Sequence, residues 1–251
     1  MQGFGPGAFG ELNAEDYDRN YPVDAATLQA VEVLAELADG GPVLELAIGT
    51  GRMALPLVER GLTVAGIEAS PEMVAKLRAK PGGEAVRVIV GDMAEVAIEG
   101  EFRLVFLVFN TLFNLTRQAD QVRCFANAAR RLSGGGVFVL EAFVPDVAHF
   151  VDRQRVRTVR VGYGDAVLEA SDHDPATQRI DYQYIRATSQ GLSLKPLPMR
   201  YVWPSEMDLM AQLAGLTLRE RWGGWDRSPF TGSSTKHISI YGRAEADVQS
   251  G

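Results

Sequence analysis

The chain has 251 residues, which is enough for one large domain or one domain that carries an insertion. Its formal net charge is -7 and it has no run of basic residues, so we expect no nucleic-acid partner. The single cysteine, Cys124, falls in a helical pattern and predicts a buried thiol in a reducing cytoplasm. No segment is apolar for long enough to span a bilayer, so we expect no membrane partner.

The N-terminal segment, residues 1–27, is rich in glycine and then polar and aromatic. Tyr17 and Tyr21 are four residues apart, which places both rings on one face if this segment is helical. A helix is predicted over 27–38, because apolar residues recur at helical spacing and a Gly-Gly-Pro stop follows.

From residue 42 the chain alternates between short apolar strands and helices. Strands are predicted at 43–48, 63–67, 86–90, 104–109 and 137–143. Helices are predicted from Gly51 to about residue 60, from residue 70 onward, and over 118–132. Strands that alternate with helices in this way indicate a doubly wound parallel sheet.

After Pro145 the pattern changes to β-rich runs, at 156–161, 166–171, 180–188 and 200–203. We expect these runs to form an antiparallel insertion. A helix over 204–214 and strands at 217–221 and 236–241 then complete the main sheet. The predicted fold class is α/β: a Rossmann-like, doubly wound, mostly parallel seven-stranded sheet with an antiparallel β insertion after strand 5.

A glycine turn follows the first predicted strand, at Gly49-Thr50-Gly51. Glycines at such a strand-to-helix turn allow a tight bend and let a ligand approach the backbone closely. Residues 49–54 also fit the dinucleotide fingerprint G-x-G-x-x-G/A. An NAD-dependent oxidoreductase is therefore one alternative.

Three acids occupy successive strand ends and favour a different ligand. Glu45 lies inside the first strand, where a carboxylate is costly unless a cation pairs with it. Glu68 ends the second strand, where a carboxylate can accept hydrogen bonds from ribose hydroxyls. Asp92 follows the third strand and can accept from an adenine amino group.

These motifs carry a family resemblance. Residues 43–52, 66–73 and 91–93 resemble three successive motifs of class I S-adenosylmethionine-dependent methyltransferases, in order and at the usual spacing. The resemblance implies methyl transfer with S-adenosyl-L-methionine as cofactor, and Ala47 stands where glycine is commoner. It places Glu68 on the ribose. The cofactor-binding residues predicted in this way are Tyr17, Tyr21, Glu45, Ala47, Gly49, Gly51, Arg52, Glu68, Ala69, Asp92, Met93 and Asn110.

The layout after residue 145 resembles small-molecule methyltransferases, such as the amino-sugar N-methyltransferases, that place an antiparallel insertion over the cleft. The resemblance implies a small-molecule methyl acceptor and an N-terminal aromatic segment that closes over the cofactor. Four aromatic residues are predicted to enclose the acceptor: Tyr201, Trp203, Trp225 and Phe230. A homodimer is one assembly that the sequence allows.

The expected organisation has four parts. Residues 1–145 form the lid segment and cofactor-binding core, 146–203 the insertion that covers the acceptor, 204–243 the rest of the core, and 244–251 a disordered tail. A non-catalytic protein that binds S-adenosylmethionine on the same fold is a second alternative.

Methyl transfer is an in-line displacement, so the protein must chiefly align the nucleophile and exclude water. No cluster with metal-ligand spacing is present, and no His/Asp pair stands out as a base. The absence of an evident base favours a nitrogen acceptor over an oxygen acceptor. Candidate catalytic residues are Asn110, Glu141, His149 and His237.

Overall fold

The structure, a computed structural model, describes residues 4–243; the tail predicted at 244–251 lies outside this range. Three helices open the chain: α1 (Ala8–Asn13), α2 (Tyr17–Asn20) and α3 (Ala25–Ala38). Asp24 caps α3, because its carboxylate accepts a 2.8 Å hydrogen bond from the Thr27 backbone N–H. The predicted helix at 27–38 is confirmed with this earlier start.

The main sheet and its helices follow. The first half comprises β1 (Val43–Leu46), α4 (Ala54–Glu59), β2 (Val64–Glu68), α5 (Pro71–Arg78), β3 (Arg87–Val90), β4 (Phe102–Leu107), α6 (Gln118–Arg131) and β5 (Leu132–Phe143). The inserted strands are β6 (Gln154–Gly162), β7 (Asp165–Asp174), β8 (Arg179–Thr188) and β9 (Gly191–Arg200). The described part of the chain ends with α7 (Pro204–Leu213), β10 (Leu216–Trp222) and β11 (Lys236–Arg243).

The strand order of the seven-stranded sheet is β10-β11-β5-β4-β1-β2-β3. Strands β1 to β5 run parallel, whereas β11 is antiparallel to both β5 and β10. The predicted fold class is confirmed. The order reverses between β1 and β4, and ligands of doubly wound sheets bind beyond the carboxyl ends of the strands at this point.

The insertion is a separate four-stranded antiparallel sheet, ordered β6-β7-β8-β9. The prediction of its last strand at 200–203 was wrong, since β9 ends at Arg200. Pro196 and Pro198 obscured this strand, because proline cannot donate a ladder hydrogen bond. The two prolines are tolerated because β9 is an edge strand, and the N–H groups on its outer side have no partner strand.

The main sheet separates two apolar clusters. One includes Phe125 of α6 and Met207 of α7, and the other includes Leu34 of α3 and Leu57 of α4. Helices on both faces explain why β1 and β2 are buried at every position. Within residues 4–243, none of the helices has both the length and the apolar composition needed to cross a membrane.

Candidate functional site

A cavity of about 420 Å³ lies where β1, β2 and β4 end. The N-terminal helices cover one side of it, and residues of β8 and β9 cover another. Ten predicted cofactor residues line this first cavity: Tyr17, Tyr21, Ala47, Gly49, Arg52, Glu68, Ala69, Asp92, Met93 and Asn110. The topology therefore brings together residues that are far apart in the sequence.

The turn after β1 forms one wall. Ala47 and Gly49 have positive φ angles of 57° and 59°, so the backbone curls left-handed beside the cavity. Gly51, at φ 84°, does not line the cavity. A Cβ at Gly51 would lie 2.3 Å from Cδ1 of Leu77, so this glycine is needed for packing against α5.

Glu68 fixes the junction between β2 and that turn. Its two carboxylate oxygens accept backbone hydrogen bonds from Gly49 (2.8 Å) and Ser70 (2.9 Å). Burial raises the pKa of Glu68, while these backbone N–H groups oppose the rise. Each oxygen has a further lone pair, so this carboxylate can accept hydroxyl donors from the cavity that it lines.

Glu45 lies beneath the cavity and is not part of its lining. The residue is 4% exposed, and its Oε2 atom has no hydrogen-bond partner within residues 4–243. Burial and then repulsion by Glu68 raise its pKa well above the usual value. A buried carboxylate with an orphaned oxygen is costly, and a nearby cation would lower that cost.

Asp92 and Met93 form the wall beyond β3. One carboxylate oxygen of Asp92 accepts a 2.8 Å hydrogen bond from the Ala94 backbone N–H. This bond holds the Asp92 side chain in the turn and leaves its second oxygen as an acceptor. Met93 is 7% exposed and supplies an apolar surface beside it.

The predicted lid segment, comprising α1, α2 and Tyr21, lies along one side of the first cavity. The rings of Tyr17 and Tyr21 lie 5.0 Å apart, and burial raises the pKa of Tyr17 to about 12. Asp18, between them, accepts hydrogen bonds from the Thr50 hydroxyl (2.6 Å) and from Lys80 Nζ (2.8 Å). These bonds tie the lid to the glycine turn.

The loop after β4 reaches the cavity through two strained residues. Phe109 and Asn110 both have positive φ angles, 58° and 63°, which non-glycine residues seldom adopt. The Asn110 side-chain oxygen accepts a 2.6 Å hydrogen bond from the Phe143 N–H, so its amide NH₂ is the group left for a ligand. The Arg52 guanidinium lies 3.7 Å over the Phe109 ring.

A second cavity, of about 620 Å³, lies beneath the inserted sheet. It shares Asn110, Tyr184 and Met199 with the first cavity, and we call these three residues the junction. Its remaining walls come from the chain after β5, the inner face of the inserted sheet, and residues 232–235.

A polar row crosses the inner face of the inserted sheet. Arg157 pairs with Glu169 across β6 and β7, and Glu169 pairs with Tyr184 across β7 and β8. Arg157 donates two hydrogen bonds to the Glu169 carboxylate, at 2.7 and 2.6 Å. Burial raises the pKa of Tyr184, and Glu169 adds to the rise, so this phenol stays protonated at neutral pH.

The four predicted acceptor aromatics line neither cavity. Trp225 is 5% exposed in the cluster that contains α3, and Tyr201 is buried beside His173, 3.1 Å from its Nε2 atom. Phe230 packs near His237, and Trp203 lies next to Tyr201 outside the cavities. Aromatic content alone did not reveal which face each ring occupies. Alternate residues of β8 and β9 line the two cavities instead.

The predicted catalytic residues are also dispersed. Glu141 accepts from the Phe109 N–H at 3.2 Å and therefore supports the strained loop. His149 is largely exposed beside Asp146, and His237 is buried with its Nδ1 atom 2.8 Å from the Ser239 hydroxyl. Burial lowers the pKa of His237 to about 4. Among these four candidates, Asn110 alone lines a cavity.

Tyr184 and Met199 were missed by the sequence analysis. The strand pattern over 180–188 predicted that alternate residues face one side, but which side faces the cleft depends on how the insertion folds back. Pairing of Glu169 with Tyr184 places this tyrosine at the junction.

Comparisons with known proteins identify the family. A methyltransferase domain family matches residues 43–136. The CcbJ methyltransferase from Streptomyces caelestis has 37% sequence identity and a TM-score of 0.88, over 95% of this chain and 98% of that protein. A cypemycin N-terminal methyltransferase from a Streptomyces species is 26% identical, over 82% of this chain and 84% of its own length.

A structure of CalS10, an amino pentose methyltransferase from Micromonospora echinaspora, contains bound S-adenosylmethionine. It has the same fold, with a TM-score of 0.67 and 22% identity, over 91% of this chain and 96% of that chain. These findings decide against an NAD-dependent oxidoreductase and against a protein without catalytic function. The chain belongs to the class I S-adenosylmethionine-dependent methyltransferases, and its cofactor is S-adenosylmethionine.

Proposed function

We propose that the chain N-methylates an amine on a small-molecule acceptor, with the cofactor in the first cavity and the acceptor in the second. The observation that carries this proposal is that the two cavities meet at Asn110, Tyr184 and Met199. A methyl group on one side of this junction and a nucleophile on the other can approach in line.

The residues around the first cavity fit the cofactor. Glu68 would hold the ribose hydroxyls, and Asp92 and Met93 would flank the adenine. Glu45, with its orphaned oxygen, would supply negative charge beneath the cationic methionine end. When bound, S-adenosylmethionine supplies a methyl group made electrophilic by a positively charged sulfur.

The lid would exclude water from the cofactor. Tyr17 and Tyr21 lie over the first cavity, and the contacts of Asp18 with Thr50 and Lys80 hold the segment closed. Enclosure strengthens each polar contact within the cleft and prevents loss of the methyl group to water.

The ionisable groups around the cleft favour nitrogen as the nucleophile. A neutral amine needs no base, whereas a hydroxyl must lose its proton. The tyrosines that line the second cavity have raised pKa values, about 12 for Tyr182, and neither His149 nor His237 lines either cavity. Glu169 is already bound by Arg157. Position and exclusion of water are therefore what these residues offer.

Two of the related proteins accord with an amine acceptor. One methylates the N-terminus of cypemycin, and CalS10 methylates an amino pentose. The acceptors of both proteins carry an amine. The second cavity has room for a small molecule or a short end of a peptide.

The experiment that tests this proposal is a methyl-transfer assay with radiolabelled S-adenosylmethionine. The acceptors are amino sugars and short peptides, each paired with an analogue in which a hydroxyl replaces the amine. We expect labelled product from amines and none from the hydroxyl analogues. Product from the hydroxyl members alone would refute nitrogen as the nucleophile.

A further inference from the structure

We propose that the acceptor carries an oxyanion, a carboxylate or a phosphate ester, that Arg155 binds in the wall of the second cavity. This inference rests on the proposed function and names the substrate class of the same site. The acceptor would then be held at two points, with its amine at the junction and its anionic group at Arg155 of β6.

The second cavity is lined by two arginines and one buried carboxylate. Arg155 and Arg157 both line the second cavity, and one buried carboxylate, Glu169, lies between them. Arg157 already occupies both oxygens of Glu169, at 2.7 and 2.6 Å, whereas Arg155 lies 3.8 Å from the nearer one. The cluster therefore has one positive charge more than its negative charge.

Arg155 retains hydrogen-bond donors for a ligand. The side chain of Arg155 is 25% exposed, and its Nε atom is buried with no partner within residues 4–243. A guanidinium presents a planar fork of donors that matches a carboxylate or a phosphate. Besides its ion pair with Glu169, Arg155 lies with its guanidinium carbon 5.7 Å from the centre of the Phe150 ring, so its remaining N–H groups can donate to a ligand in the cavity that it lines.

The second cavity has one further acidic residue in its lining. Asp146 also lines it, but its side chain is 61% exposed and lies 3.1 Å from His149. Water and that histidine screen Asp146, whereas Arg155 is in a more enclosed position. The hydroxyl residues Ser233, Ser234 and Thr235 line the same cavity and add neutral donors.

The strand register gives the backbone spacing between Tyr184 and Arg155. Register places Tyr184 two strands away from Arg157, and Arg155 is two residues farther along β6. The Cα atoms of Tyr184 and Arg155 are therefore about 12 Å apart. The two side chains nevertheless converge, because Arg155 lies 3.8 Å from the Glu169 carboxylate and Tyr184 is the cross-strand partner of Glu169. The acceptor class is an amine that also carries an anionic group.

The test uses calorimetry on the full chain loaded with S-adenosylhomocysteine. Glucosamine 6-phosphate is compared with glucosamine, and 6-aminohexanoate with hexylamine. We expect at least one anionic amine to bind at least tenfold more tightly than its neutral partner. The stronger pair distinguishes a phosphate from a carboxylate. Equal or absent binding of both anionic members overturns the proposal.

Variants assign the effect to one side chain. Arg155→Met should abolish the preference, and Arg155→Lys should retain part of it. Arg160→Met is the matched control, because Arg160 lies on the same strand, pairs with Asp165 at 2.6 Å and lines neither cavity. A preference that survives in folded Arg155→Met contradicts the proposal. If the preference is absent while amines are still methylated, this inference fails and the proposed function stands.

Discussion

The carboxylate of Glu68 accepts a 2.8 Å hydrogen bond from the backbone N–H of Gly49. This bond joins the end of β2 to the turn after β1, so the carboxylate and the left-handed backbone form one continuous wall of the first cavity. A ligand that contacts one of these residues is held against the other. We therefore expect cofactor binding to depend on this pair of residues.

The first prediction is that Glu68→Ala weakens binding of S-adenosylmethionine at least tenfold. The substitution removes an acceptor whose charge-assisted hydrogen bonds contribute about 1.5–3 kcal/mol each, and it also frees the Gly49 turn. Calorimetry on the folded variant measures the affinity. Glu84→Ala, an exposed acid beyond α5, is the control. An affinity like that of the unaltered protein would show that Glu68 does not contact the cofactor.

The second prediction concerns Glu45 and pH. Burial, with repulsion by Glu68, raises the pKa of Glu45, so the folded protein binds this proton more tightly than the unfolded chain does. The stability from that proton is complete below the unfolded pKa of about 4.3 and is lost as pH rises through the folded pKa. Glu45→Gln cannot ionise and should escape this loss.

We therefore expect Glu45→Gln to raise the Tm of the cofactor-free protein at pH 8 by at least about 2 °C, equivalent to about 1 kcal/mol. The same variant should bind S-adenosylmethionine about tenfold more weakly, because the cationic ligand loses its negative partner. Melting curves between pH 5 and pH 8 provide the comparison, with exposed Glu59→Gln as control. A parallel pH dependence in both variants would contradict this role.

The third prediction concerns the lid. Asp18→Ala removes the bonds to Thr50 and Lys80 and should speed dissociation of S-adenosylhomocysteine three- to tenfold. Since Asp18 is 47% exposed, the free energy of unfolding should change by no more than about 1 kcal/mol. Arg19→Ala, on the same helix, is the control, because its pair with Asp16 is exposed. An unchanged dissociation rate in stopped-flow measurements would show that these Asp18 contacts do not hold the lid over the cofactor.

The fourth prediction separates the acceptor wall from the core. Trp225→Ala should lower the free energy of unfolding by about 3–5 kcal/mol, because it leaves a void in a packed cluster. Tyr184→Phe should cost no more than about 1.5 kcal/mol, the value of one hydrogen bond, yet lower kcat/KM for an amine acceptor at least tenfold. Urea titrations and initial rates test both. Equal losses of stability in the two variants, or full activity in Tyr184→Phe, would show that Tyr184 does not contribute to methyl transfer.

The cofactor site could be predicted from the sequence to a large extent. Glu45 lies near the carboxyl end of a recognisable strand, Glu68 ends the next and Asp92 follows the third, and a parallel sheet gathers the carboxyl ends of its strands at one edge. Strand periodicity does not reveal depth, however. Glu45 was expected in the cavity and lies beneath it, and Gly51 was expected there and packs on Leu77.

The proposed acceptor site could not be predicted to the same extent. Its wall depends on the register of four inserted strands and on how that sheet folds back over the cleft. Trp225 and Tyr184 are both aromatic residues after Pro145, yet one is buried in the core and the other lines both cavities. Only tertiary placement distinguishes them.

The most direct test of the central claim is a crystal structure of the protein with S-adenosylhomocysteine. We expect the ribose hydroxyls to lie within hydrogen-bond distance of the Glu68 carboxylate and the sulfur to face Asn110 and Tyr184 at the junction. A nucleoside bound in the second cavity, or a ribose without contact to Glu68, would contradict it.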